Sequence, residues 1–222
     1  MRALWVVVML AVAAPAGAQS FNISFGQTSD PPSASYAAAG AAGTWNAVSG
    51  VAGPEYALVT IDGSASQVVV SQQPTTTVIA TSDPSVTGDD AKLLDHGLVT
   101  SSAETCLMFS GMAPGTYEVL IYAWLPDEPT VKSRTRQDEA PSTIDVGGAW
   151  TGSHAAGVTY ARYVVTVDSS GNLPAHSGLA PDMPSAALNG IQIRPLDSIG
   201  ADAGMQPDAA GSNQETGDAG TT

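Results

Sequence analysis

The stretch Gly111-Met112-Ala113-Pro114-Gly115-Thr116-Tyr117-Glu118-Val119-Leu120-Ile121-Tyr122-Ala123-Trp124 decides how the rest of the chain is read. Pro114 fixes φ and Gly115 accepts the positive φ that other residues resist, so the pair marks a turn. Thr116 to Tyr122 is rich in β-branched and aromatic residues, and Thr105-Cys106-Leu107-Met108-Phe109 is a second short apolar run before it. Two such runs joined by a Gly-containing loop predict a β-hairpin at the centre of a sheet. Alternation puts Tyr117, Val119, Ile121 and Ala123 on one face, and Glu118, Leu120, Tyr122 and Trp124 on the other. The first set is the better core face. The second is either a platform for a ligand or a surface packed beneath loops.

Working outward, Phe21, Ile23 and Phe25 alternate with Asn22 and Ser24, the pattern of a strand with one buried face. Residues 27–42 are rich in Pro, Ser, Ala and Gly and read as a long surface loop. Asp62-Gly63, set between Ala57–Ile61 and Gln67–Val70, is a strong hairpin signal. Asp89 to Gly97 is the one stretch that reads as a helical turn, with acids at its start and Gly97 as its C-cap. Thr130–Gln137, Ser142–Val146 and Tyr160–Val167 follow as extended segments, the last ending at a turn over Asp168–Asn172. Ala186–Arg194 closes the domain as a final strand.

The two ends read differently. Arg2 followed by the apolar run Ala3–Ala14, Pro15 and Ala16-Gly17-Ala18 predicts a signal peptide over residues 1–18, cleaved before Gln19. That run is too short to span a bilayer comfortably, so no membrane insertion is expected and the protein is read as secreted. Residues 19–196 are read as one β-sandwich domain. Residues 197–222 are mostly Ala, Gly, Asp, Ser and Thr without apolar period or basic residue, and are expected to be a disordered acidic tail.

The formal net charge is −14, and loss of Arg2 with the leader makes it −15. Such a chain repels phosphate backbones and anionic membranes, which argues against nucleic acid as a partner. High Gly and Pro with few aromatics point to short strands joined by many turns. Cys106, the single cysteine, lies in an apolar run and reads as a buried, inert thiol.

With these elements placed, the chain resembles a galactose-binding-domain-like jelly roll of the kind found in secreted proteins of environmental bacteria such as myxobacteria and planctomycetes. The matching residues are Asn22–Gly26, Gly43-Thr44-Trp45-Asn46, Pro114–Tyr117, Tyr122-Ala123-Trp124 and Leu188–Ile193. The resemblance implies an all-β, antiparallel two-sheet sandwich whose first and last strands come together. It also implies carbohydrate binding or cell-surface adhesion.

Candidate chemistry is sparse. His96, His154 and His176 lie beside Gly, Ser or Ala in what read as solvated loops, and no G-x-S-x-G elbow accompanies them. The chain is therefore read as a non-enzyme that requires no cofactor. Asp89, Asp90 and Asp95 are its densest oxygen cluster and the candidates for a structural calcium, against the simpler reading of a helix N-terminus and solvated turn. Trp45, Tyr122, Trp124 and Trp150 are the rings that would pack against a sugar, against the simpler reading of core bulk. Lys132, Arg134 and Arg136 recur at every second position, so a strand would point all three to one side. That stripe suits an anionic polysaccharide, against the simpler reading of a charge-protected edge strand. The expected function is a secreted, non-catalytic binding module for carbohydrate or a cell-surface polysaccharide. The alternative is a structural or matrix protein that acts through protein contacts.

Overall fold

The computed structural model describes residues 19–26, 30–50, 55–73, 77–101, 104–138, 140 and 142–197. The leader expected at 1–18 and, apart from Asp197, the tail expected at 197–222 lie outside the described residues.

Short alternating runs between turns produce short strands, and nearly all the regular structure is β. The strands are β1 (Phe21–Phe25), β2 (Trp45–Val48), β3 (Tyr56–Val59), β4 (Ala65–Gln73), β5 (Thr77–Ala80), β6 (His96–Thr100) and β7 (Thr105–Ser110). They continue with β8 (Gly115–Tyr122), β9 (Ser133–Arg136), β10 (Ile144–Val146), β11 (Tyr160–Val167), β12 (Leu173–Leu179), β13 (Ala186–Leu188) and β14 (Gly190–Pro195). One helix, α1 (Gly88–Leu94), precedes β6. The expected β-sandwich is what forms. A five-stranded sheet in the order β11-β8-β14-β1-β2 faces a six-stranded sheet in the order β10-β9-β12-β7-β4-β3. A third sheet, β13-β6-β5, adds three strands at one end.

The core lies between the two large sheets. Phe21, Ile23, Phe25, Tyr117, Val119, Ile121, Tyr163 and Ile191 come from the five-stranded sheet, and Val68, Val70, Leu107, Phe109 and Leu173 from the six-stranded one. First and last strands meet as expected, with Phe21 opposite Ile193 and Ile23 opposite Ile191 in antiparallel register. The Asp62-Gly63 hairpin also forms, joining β3 to β4. One departure from an antiparallel scheme is the parallel pair β1–β2.

The central hairpin does not form. β7 pairs with β4 and β12, whereas β8 pairs with β11 and β14, so Gly111–Pro114 carries the chain from one sheet to the other. The reason lies in the linker. A two-strand turn leaves its loop in water, but Met112 and Ala113 are apolar and buried, and the Tyr117 hydroxyl donates to the Ala113 carbonyl at 2.8 Å. Residues 168–172 likewise turn the chain between sheets, from β11 to β12. Strands β6 and β12 are unexpected, because His-Gly-Leu-Val-Thr and Leu-Pro-Ala-His-Ser-Gly-Leu carry weak β signals and are recruited by pairing. Gly97 is not the helix cap; Asp95 takes that position and Gly97 lies in β6, where a Cβ would sit 2.8 Å from the Leu188 carbonyl oxygen.

The expected closing strand is broken at Asn189, which separates β13 from β14. Asn189 is fully buried. Its Nδ2 donates to the Leu94 and His96 carbonyls at 2.9 Å each, and its Oδ1 accepts from the Trp124 backbone N–H at 2.6 Å. One side chain thus ties the helix end, the start of β6 and the end of the β8 segment together. Asn189→Ala removes three hydrogen bonds, two of them buried, a cost of roughly 3 kcal/mol. Thermal unfolding is expected to show a Tm lower by about 6–12 °C, while Asn172→Ala, on an exposed turn, changes it by less than about 2 °C.

Candidate functional site

Chemistry-bearing side chains concentrate on the face of the five-stranded sheet that points away from the core. In β8, Leu120 and Tyr122 occupy that face with Trp124 just beyond, and all three are buried in a second cluster with Trp45, Val86, Leu93 and Leu94. Residues 30–44, α1 and residues 147–159 form the cover. The stretch expected to be a plain surface loop is therefore a packed layer: the Ala39 N–H donates to the Tyr122 hydroxyl at 2.8 Å, and Gln192 Nε2 donates to the Ala37 and Ala41 carbonyls at 3.1 Å each. Several polar residues under the cover bond to one another. Tyr122 donates to Gln192 Oε1 at 2.5 Å, and Gln192 donates in turn to Asn22 Oδ1 at 2.9 Å.

At the rim of this layer Tyr36, Asp90, Trp150, His154 and Tyr160 come together from four segments. The Tyr36 hydroxyl donates to Asp90 Oδ1 at 2.5 Å and lies 2.6 Å from His154 Nε2. His154 Nε2 is also 3.1 Å from Asp90 Oδ1, and its Nδ1 is 3.2 Å from the Thr159 hydroxyl. These contacts suit a neutral imidazole with its proton on Nε2, donating to the Tyr36 oxygen. Burial favours that neutral form and lowers the His154 pKa, with Asp90 opposing the shift. Burial, reinforced by Asp90, raises the Tyr36 pKa and keeps the phenol protonated. The His154 ring packs edge-on against Trp150 and Tyr122, with centroids 5.6 and 5.2 Å away. Trp150, Tyr36 and Tyr160 are only half-buried, so they present ring surface beside hydrogen-bonding groups.

The residues singled out from sequence are distributed as follows. Trp45, Tyr122 and Trp124 are buried, so none offers a ring face to a ligand. The Trp45 and Trp124 indole N–H groups donate to the carbonyls of Tyr36 and Gly148. Trp150 alone of the four reaches the surface. Lys132, Arg134 and Arg136 do share the outer face of the six-stranded sheet, but β9 is not an edge strand and two of the cations are neutralised. Arg134 makes a two-pronged pair with Asp145 at 2.7 and 3.0 Å. Arg136 pairs with both oxygens of Glu104 at 2.8 and 2.7 Å and also with Asp138.

The three aspartates do not converge. Asp89 accepts from the Ser33 backbone N–H and hydroxyl, Asp90 serves Tyr36 and His154, and Asp95 caps the helix end. Among the described residues no three His, Cys, Asp or Glu side chains are grouped as metal ligands. The histidines are not solvated loop residues: His154 and His176 side chains are 7% and 6% exposed, and His96 and His176 lie in strands. Cys106 is half-buried on the outer face of β7 rather than in the core. Burial first, then Glu104 and Asp138, raises its pKa and keeps it a thiol.

Tyr36, His154 and Tyr160 escaped sequence reasoning. Their partners are 54 to 118 residues away for the Tyr36 contacts, and the loops around them carry no period. The only available signal was the concentration of aromatic and imidazole rings in Trp150–Tyr160.

Asp95, at the end of α1 and away from the rim, gives the stability of the fold a pH signature. Burial is the main cause of a pKa raised from 3.8 to about 6. A carboxyl whose folded pKa exceeds its unfolded one adds stability that is complete below pH 3.8 and disappears as pH rises through about 6. Asp95→Asn is therefore expected to raise Tm by roughly 2 °C at pH 8, after allowance for solvent screening, with no gain at pH 4. Thermal melts across that range provide the check.

No family model matches the chain, and no curated protein matches it. Solved structures do. The chain is similar to protein YxiM from Bacillus subtilis, with TM-score 0.50 and 10% identity over 80% of this chain and 40% of that one. It spans less than half the length of that protein. Weaker matches include an exo-β-1,3-galactanase from Phanerochaete chrysosporium, with TM-score 0.36 and 12% identity over 61% of this chain and 32% of that one. Another is a CBM36 domain of a xylanase from a Trinervitermes trinervoides hindgut metagenome, with TM-score 0.30 and 12% identity over 57% of this chain and 96% of that one. What the YxiM likeness establishes is the fold, a β-sandwich.

Proposed function

We propose that this chain is an exported, non-catalytic module that binds carbohydrate, as part of a cell surface or an extracellular polysaccharide, and that it does so at the rim formed by Tyr36, Asp90, Trp150, His154 and Tyr160. A galactose-binding-like kinship belongs to the same proposal. The observation that carries it is the coexistence, on one rim, of half-buried rings with hydrogen-bonding groups held by one another. Trp150 lies 5.6 Å from His154, and His154 lies 3.1 Å from Asp90.

A sugar requires both elements. Its C–H face packs on an aromatic ring, and its hydroxyls need donors and acceptors that are already in place. The rim meets the second requirement because the Tyr36–Asp90–His154 network holds its members in one arrangement before a ligand arrives. Preorganisation of this kind lowers the ordering cost of binding. Binding without chemistry fits the same network, in which Asp90 Oδ1 is already shared by Tyr36 and His154.

Retention on immobilised polysaccharides and on a glycan array tests the proposal. The purified chain is expected to be retained by a subset of glycans. Trp150→Ala is expected to weaken retention at least tenfold, about 1.4 kcal/mol, with Tm changed by only a few degrees. Absence of retention by the wild-type chain on any glycan contradicts the reading and favours a matrix role through protein contacts, as does retention that Trp150→Ala leaves unaltered.

A further inference from the structure

On the same outward face as the rim, two arginines share one buried carboxylate. Glu118 of β8 has a side chain only 2% exposed. Arg162 of β11 donates from Nε to its Oε1 at 2.5 Å, and Arg194 of β14 donates from Nε to its Oε2. Arg194 lies directly across from Glu118 in register, and Arg162 lies diagonally, opposite Leu120. Among the described residues neither arginine pairs with a second carboxylate.

The charge balance here differs from that around every other arginine in the described chain. Arg134 is matched by Asp145, and Arg136 by Glu104 and Asp138. Arg162 and Arg194 divide a single negative charge, which leaves a local excess of one positive charge in a chain of net −14. Each uses Nε toward Glu118, so the Nη groups of both guanidinium forks carry no protein hydrogen bond among the described residues. The Arg162 side chain is 54% exposed. Arg162 and Arg194 come from the strands on either side of β8, so both guanidinium forks are anchored at one carboxylate, one to each oxygen. A planar fork with free N–H groups is the geometry that recognises an oxyanion.

The position of the pair relates it to the rim. Tyr160 lies opposite Tyr122 and Arg162 opposite Leu120, so the arginine is the next outward-pointing residue after Tyr160 along β11. That is a step of about 7 Å. We propose that Arg162 and Arg194, fixed by Glu118, bind the oxyanion of an acidic sugar, either a uronate carboxylate or a sulfate ester, and that the ligand of the rim is therefore an acidic polysaccharide. The proposal rests on the carbohydrate-binding reading and adds the ligand's charge class. It also moves the anionic-polymer contact from the neutralised stripe on β9 to the opposite sheet. The chain's overall negative charge does not forbid this, because long-range repulsion is screened beyond about 8 Å at physiological ionic strength.

Affinity electrophoresis of the purified chain through neutral galactan, polygalacturonate and a sulfated galactan tests it, with Arg162→Gln and Trp150→Ala as variants. The Arg162 side chain is 54% exposed and Arg194 keeps its own bond to Glu118, so Arg162→Gln is expected to retain the fold, with thermal melts as the check. The wild-type chain is expected to be retarded at least tenfold more strongly by one of the acidic polymers than by the neutral one, and which of the two identifies the oxyanion. Arg162→Gln is expected to lose that preference while keeping its binding to the neutral polymer, and Trp150→Ala to weaken both. Equal retardation of Arg162→Gln and wild type by the acidic polymers overturns the assignment. Trp150-dependent binding without any acidic preference overturns it while sparing the carbohydrate reading. If no polymer retards the wild-type chain, both fall.

Discussion

From Tyr117 to Tyr122 strand β8 is buried on both faces, and much of the molecule follows from that constraint. Tyr117, Val119 and Ile121 fill the space between the two large sheets, while Leu120 and Tyr122 lie under a second layer on the other side. A strand in this position has no face on which a polar group can rely on water. Every polar side chain on its outer face must therefore find a protein partner. Tyr122 finds Gln192 and the Ala39 N–H. Glu118 finds two arginines, whose donors hold its carboxyl below the ordinary glutamate range despite the opposing effect of burial.

The same requirement explains the covering layer. Residues 30–44, α1 and residues 147–159 contain little that would fold independently, yet they are fastened to the sheet at many points. Trp45 donates to Tyr36, Trp124 donates to Gly148, and Asn189 ties the end of α1 to the Trp124 backbone. The rings expected to meet a ligand are largely consumed in holding this layer down. What reaches the surface is its rim, where Trp150, Tyr36 and Tyr160 surround the Asp90–His154 pair. The rim built in this way is fastened on its inner side to a second core.

The strands of the sandwich were readable where local chemistry sufficed. Asp62-Gly63 forms its hairpin, Tyr160–Val167 alternates as its sequence does, and Phe21, Ile23 and Phe25 face the core. Both faces of the β8 segment were assigned correctly, since alternation depends only on the strand itself. What could not be read was partner choice. Gly111–Pro114 looks like a hairpin turn, and only the burial of Met112 and Ala113 in the assembled core makes it a bridge between sheets. Pairing brought β12 out of a segment with Pro, His and Gly in its interior. The candidate site was hidden for the same reason: Tyr36, Asp90 and His154 are brought together by loop packing over the sheet. Lys132, Arg134 and Arg136 were placed on one side correctly, but the carboxylates that neutralise Arg134 and Arg136 lie on neighbouring segments.

The central claim is that ligand meets this protein at the rim of the covering layer, beside the arginine pair, and not at the buried rings. The most direct test follows the indole N–H resonances of Trp45, Trp124 and Trp150 by NMR while galacturonate oligomers and sulfated galactan oligomers are titrated into the purified chain. The account predicts a saturable shift of the Trp150 signal, with the Trp45 and Trp124 signals, sealed by their bonds to Tyr36 and Gly148, nearly unmoved. Binding that shifts Trp45 or Trp124 while leaving Trp150 in place would contradict it.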